Sequence, residues 1–140
     1  MVEHSARRSA EKATWPLVVW LARLSVYFLA QGAPVLLAYA YYGFGTDPNS
    51  FALGFRIDPI LATINLVWGA IGTYIGFFNP RYALAFVLAC AAFYTLIAVL
   101  GTFTSQHFGM LLNDRVNLFH WAIVIPAWAI GLYALWRKRA

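Results

Sequence analysis

From Val116 to Trp136 the chain runs V-N-L-F-H-W-A-I-V-I-P-A-W-A-I-G-L-Y-A-L-W, 21 positions with no formally charged side chain. At 1.5 Å rise per residue, a helix of this length covers a hydrocarbon core of ~30 Å. Three more apolar runs precede it, at about 15–44, 58–78 and 82–103, and the fourth occupies about 115–136. In lipid every backbone N–H and C=O needs an internal partner, which a helix supplies within one segment. The predicted fold is therefore an all-α membrane protein, an antiparallel bundle of four transmembrane helices. One membrane domain, 15–136, lies between a polar tail, 1–14, and a basic tail, 137–140.

Composition narrows the function classes. Hydrophobic residues make up 62% of the 140 positions and charged residues 11%, against about 25% charged in soluble domains. The six Trp suit two interfacial belts. A single cysteine, Cys90, excludes paired-thiol chemistry. The sequence holds no H-E-x-x-H, Gly-rich phosphate loop or Ser-His-Asp set, and no Asp, Glu or Lys in mid-span. The outer connectors are too short to build a soluble active site. A non-catalytic protein is expected.

Along the chain, the polar tail followed by an apolar run has the outline of a signal peptide, but Arg23 interrupts the run and an uncleaved anchor is expected. Arg23 should lay its stem in lipid and reach the headgroups. Gln31-Gly32-Ala33-Pro34 predicts a kink in span one, because Pro34 lacks a backbone donor and crowds the preceding turn. Gly45–Ser50 is turn chemistry, and Leu53–Phe55 with Arg56 reads as an interfacial connector. Asn79-Pro80-Arg81 is so short that spans two and three should be adjacent. Seven basic residues (Arg7, Arg8, Lys12, Arg81, Arg137, Lys138, Arg139) fall in the two tails and this turn, against Arg56 and Arg115 in the other connectors. The positive-inside rule then predicts both termini in the cytoplasm.

A displacement of 55 positions lays span two on span four: Asp58 falls on Asn113, Asn65 on His120, Gly69 on Val124, Gly72 on Ala127 and Gly76 on Gly131. Each set recurs at i, i+4, i+7, i+11 and forms one helix stripe, Asp58-Ala62-Asn65-Gly69-Gly72-Gly76 and Asn113-Asn117-His120-Val124-Ala127-Gly131. Both begin polar and end small. Small residues let helix backbones approach in lipid, and polar side chains hydrogen-bond across the contact. Two similar hairpins, spans one-two and three-four, are expected.

The run Leu53-Gly54-Phe55-Arg56-Ile57-Asp58-Pro59, then Asn65-x-x-x-Gly69, then Asn117-Leu118-Phe119-His120, resembles a bacterial four-helix integral membrane domain of unknown function. The resemblance covers about Tyr42 to Tyr133. It implies the four-helix fold and a bacterial membrane, inner or thylakoid, but no activity. That family carries Asn-x-x-His in both the second and fourth spans. Here the span-two counterpart is Ala62-Thr63-Ile64-Asn65, which puts a shared two-histidine ligand in doubt.

Three roles are open to His120: an interhelical hydrogen bond to Asn65 or Asn117, an axial bond to a haem iron or chlorophyll magnesium, and a proton relay. The relay lacks an intramembrane carboxylate. Asp58 and Asp114 read as helix-start carboxylates, His107 as a solvated connector histidine, and Pro126 as a kink opening a groove beside His120. Trp121 and Trp128, seven apart, should face lipid or a partner. The expectation for the whole is a small accessory subunit held in the bilayer against other membrane subunits, of a photosynthetic or respiratory assembly. The alternatives are a pigment- or haem-binding protein using His120 and a small transporter.

Overall fold

The computed structural model describes residues 15–43, 58–104, 107–110 and 113–139. The N-terminal tail, the Gly45–Ser50 turn, the Leu53–Phe55 connector with Arg56, and the His107 and Arg139 side chains lie outside the described residues. The described chain is helical: α1 (15–23), α2 (Val26–Tyr42), α3 (Pro59–Phe78), α4 (Ala83–Phe103) and α5 (Asp114–Arg139), with 3-10 turns at Pro80–Tyr82 and His107–Gly109. No strand occurs among the described residues. Four segments are long and apolar enough to cross a membrane: Trp15–Tyr42, Pro59–Phe78, Pro80–Phe103 and Asp114–Lys138.

Local chemistry sets several boundaries. The Asp58 carboxylate accepts from the Ile60 N–H at 2.8 Å and caps α3, with Pro59 at the first helical position, where no donor is needed. Asn79 ends α3 as its backbone N–H reaches back to Ile75, and Pro80 opens the next turn. The Asn113 side-chain oxygen accepts from the Val116 N–H at 3.2 Å at the start of α5.

The interruption of span one is not at Pro34. Helix α2 continues unbroken through that proline, whose ring is on the exposed face. The break falls at Leu24–Ser25, where Tyr27 and Phe28 donate to the carbonyls three residues back, Leu24 and Ser25. There Ser25 packs on Gly72, and the Arg23 Nε donates to the Gly76 carbonyl at 3.0 Å. Arg23 is thus held by the end of α3, its guanidinium over the rings of Trp20 and Phe77, and does not simply extend into the headgroups. A proline facing lipid needs only local relief, whereas a 3-10 turn here brings Ser25 and Arg23 onto the neighbouring helix.

The densest contacts join α2 to α3 and α4 to α5. Across the first pair, Gly76 meets Arg23, Gly69 meets Leu29, and Gly32 meets Ala62 and Leu66, so rising numbers on one helix meet falling numbers on the other. Across the second, Gly131 meets Leu88, and Trp128 and Trp121 reach Thr95 and Thr102 in the same reversed order. Helices α3 and α4 touch more sparingly, through Trp68 against Phe86, Phe93 and Tyr94.

Candidate functional site: a polar line across the four spans

Each span carries a polar side chain in its interior, and three of the four are hydrogen-bonded in sequence. The Asn65 amide nitrogen donates to Gln31 Oε1 at 2.9 Å, and the Tyr94 hydroxyl donates to Asn65 Oδ1 at 2.6 Å. The Tyr94 ring then meets the His120 imidazole at 5.6 Å between centroids, tilted by 47°. Asn65, Tyr94 and His120 are 3%, 0% and 2% exposed, so the line is buried apart from Gln31, which is half-buried. Phe28 stacks on Tyr94 at 5.2 Å with rings nearly parallel, and Phe93 packs edge-on against it. A buried polar group without a partner costs several kcal/mol in hydrocarbon, so a carboxamide at this depth must find both a donor and an acceptor. Gln31 and Tyr94 provide them.

All stripe residues of α3 beyond Asp58 (Ala62, Asn65, Gly69, Gly72 and Gly76) are buried, and so are His120, Val124, Ala127 and Gly131 of α5. The polar start of the α5 stripe behaves differently from expectation. Asn113 caps its own helix, and Asn117 Nδ2 donates to Thr102 Oγ1 at 3.3 Å, so neither Asn117 nor Asn65 hydrogen-bonds His120. The Asn117 carbonyl oxygen has no donor among the described residues. It borders a small polar crevice of about 250 Å³ at this end of the bundle, shared with Thr104, Asn113 and Asp114.

The tryptophans also turn inward. Trp128 Nε1 donates to Thr95 Oγ1 at 2.9 Å and Trp121 Nε1 to Thr102 Oγ1 at 3.4 Å. Both threonine hydroxyls in turn donate to carbonyls one turn back on α4, at Ala91 and Ala98. The seven-residue spacing of the tryptophans matches that of the threonines, so the indole N–H groups find acceptors inside the α4–α5 seam and not in lipid or a partner. Trp136 does lie outside, 60% exposed.

Pro126 borders a crevice, but not beside His120. This apolar cavity of about 390 Å³ lies between span one, α4 and α5, and Phe119, Ala122 and Ile123 form its α5 wall with Pro126. Neither crevice is lined by His120. Among the described residues no group of three or more His, Cys, Asp or Glu side chains converges. What the polar line offers chemically is neutral hydrogen bonding, from an amide pair and a phenol.

Gln31 and Tyr94 do not stand out in any sequence motif. The signal that would have found them is simple: each is an uncharged polar side chain well inside an apolar span, and lipid forces such groups to meet. Met110 was equally hidden. It follows Phe108 and Gly109, both at positive φ, and is fully buried although it belongs to a connector.

Four apolar helices with their polar side chains paired inward define an integral membrane protein that crosses the bilayer several times. Compared with family models, curated proteins and solved structures, the chain matches none.

Proposed function

We propose that the protein is a non-catalytic accessory subunit, an antiparallel bundle of two helical hairpins that packs against a larger assembly in a bacterial membrane. The observation that carries this reading is the division of its surface. Gln31, Asn65 and Tyr94 bond one another inside, and the outward face is aliphatic and aromatic, with Leu37, Phe78, Leu118 and Ile125 each more than 60% exposed. Such a face suits lipid or another apolar helix and has no machinery for chemistry. The reversed residue order across both hairpin seams supports the antiparallel arrangement. Arg23, Arg81, Arg137 and Lys138 fall at one end of the bundle under that arrangement, and Arg115 at the other, which supports cytoplasmic termini. The resemblance to the bacterial four-helix domain contributes the Asn117-x-x-His120 element, whose histidine here packs on Tyr94.

His120 is read as a packing residue. The residue is 2% exposed and its imidazole packs on the Tyr94 ring, which supports that reading. Native membranes solubilised in mild detergent test the proposal: the chain should migrate with a larger assembly of defined size. Migration as a free monomer under conditions that keep other membrane complexes whole would end it.

A further inference from the structure

We infer that the 390 Å³ crevice between span one, α4 and α5 is a binding site for one acyl chain of an anionic glycerophospholipid. The inference rests on the bilayer placement of the four spans and not on the accessory role.

The walls come from three different segments, with Leu21 and Phe28 from span one, Cys90 from α4, and Phe119, Ala122 and Pro126 from α5. The cavity lies beside the break of span one at Leu24–Ser25, and Pro126 of the continuous helix α5 is part of its wall. The Ser25 and Tyr27 hydroxyls and the Cys90 thiol are the side-chain polar groups of an otherwise hydrocarbon lining, so the occupant is predominantly apolar. A cavity of several hundred Å³ within a bilayer does not hold water against such walls.

Depth and charge select the occupant. Ala127, at the edge of the crevice, precedes Arg137 by ten residues, about 15 Å along α5. Half of a ~30 Å core is the reach of one leaflet's acyl chain. A lipid whose chain end enters the crevice at its Ala127 edge therefore sets its headgroup at the level of Arg137 and Lys138. Asp58 and Asp114, the only described carboxylates on the chain, are at the other end. The headgroup end is positive, and an anionic phosphodiester is its complement.

The test uses the whole protein in nanodiscs, with phosphatidylglycerol and phosphatidylcholine of identical acyl chains as probes and retained lipid read by native mass spectrometry. One phosphatidylglycerol per chain should be retained, favoured over phosphatidylcholine by about fivefold for each of the two basic residues. Ala122→Phe should expel it, while Ala129→Phe, on an exposed position of α5 outside the crevice, should not. Arg137→Gln with Lys138→Gln should keep the lipid but erase the preference. Cys90, the sole cysteine, gives a second readout independent of the Phe variants. Phosphatidylglycerol should slow its labelling by an apolar maleimide severalfold relative to phosphatidylcholine. Equal retention of the two lipids, full retention by Ala122→Phe, or a Cys90 labelling rate indifferent to headgroup would each overturn the inference. A chain that migrates alone in native gels yet passes these tests would remove the accessory role and leave the lipid site standing.

Discussion

The two densest helix seams of this protein, α2 with α3 and α4 with α5, are held by different chemistry. Between α2 and α3 the contact is backbone on backbone. A Cβ on Gly32 would stand 2.6 Å from the Ala62 carbonyl oxygen, and one on Gly69 would stand 2.7 Å from the Leu29 nitrogen. Between α4 and α5 the contact is side chain on side chain. Gly131 faces the flexible end of Leu88, and two indoles donate to two threonine hydroxyls. A stripe of small residues can thus mark two different contacts. Where the partner presents main chain, glycine is obligatory; where it presents a movable side chain, glycine is one option among several.

The seams can be set against each other by mutation, with unfolding in mixed micelles as the measurement. The largest effect should come from Gly69→Leu, which drives a branched side chain into the α2 main chain. Overpacking costs ~1–3 kcal/mol in ordinary cores and more where backbone must move, and separation of span one from span two is the expected failure. If Gly69→Leu is tolerated, the backbone-contact description of this seam is wrong.

Next in size is Tyr94→Phe. It keeps the ring against Phe28 and His120 but leaves the Asn65 carbonyl without its donor, and a loss of ~1–2 kcal/mol is expected from the orphaned acceptor. Asn65→Leu should then cost less in this background than in the native protein, because only its bond to Gln31 remains to be lost. A double-mutant cycle reads this coupling directly, and strict additivity of the two changes would contradict the polar line.

Thr95→Val tests the second seam. It removes the acceptor of Trp128 at constant shape, and membrane hydrogen bonds of this kind contribute about 0.6 kcal/mol. Its partner Thr102 serves both Trp121 and Asn117, so Thr102→Val should cost somewhat more than Thr95→Val. The reverse order would mean that the longer contacts at Thr102 carry no weight.

The smallest change should be Gly131→Ala, within about 1 kcal/mol of the native protein because Leu88 can turn aside. Gly76→Ala, whose Cβ would sit 2.7 Å from the Arg23 nitrogen, should be clearly worse. Equal effects at Gly131 and Gly76 would erase the distinction between the seams.

Much of the fold was legible because hydrocarbon imposes a few strict rules. Span positions followed from apolar length, and 15–44, 58–78, 82–103 and 115–136 differ from the observed helices by three residues or fewer. Asp58 and Pro59 marked a helix start through capping chemistry alone. The inward stripe Asn65-Gly69-Gly72-Gly76 was readable from its period, since one helix face is one packing surface. The polar line was only half legible. Asn65 and His120 fell on matching positions at the 55-residue displacement, whereas Gln31 read as part of a proline kink and no pattern tied Tyr94 to either.

The sequence by itself determined which residues must be inside a membrane helix and which face of that helix must avoid lipid, because transfer free energy and helical period are local properties. Tertiary structure alone decided which partner each face meets. Trp121 and Trp128 turned from lipid to Thr102 and Thr95 because α4 presents hydroxyls at the same seven-residue spacing. The break in span one moved from Pro34 to Leu24–Ser25 because Gly72 and the Gly76 carbonyl lie across from it. The bond to Asn65 went to Tyr94 and not His120, because a carboxamide pairs with whichever donor the neighbouring helix brings within 3 Å.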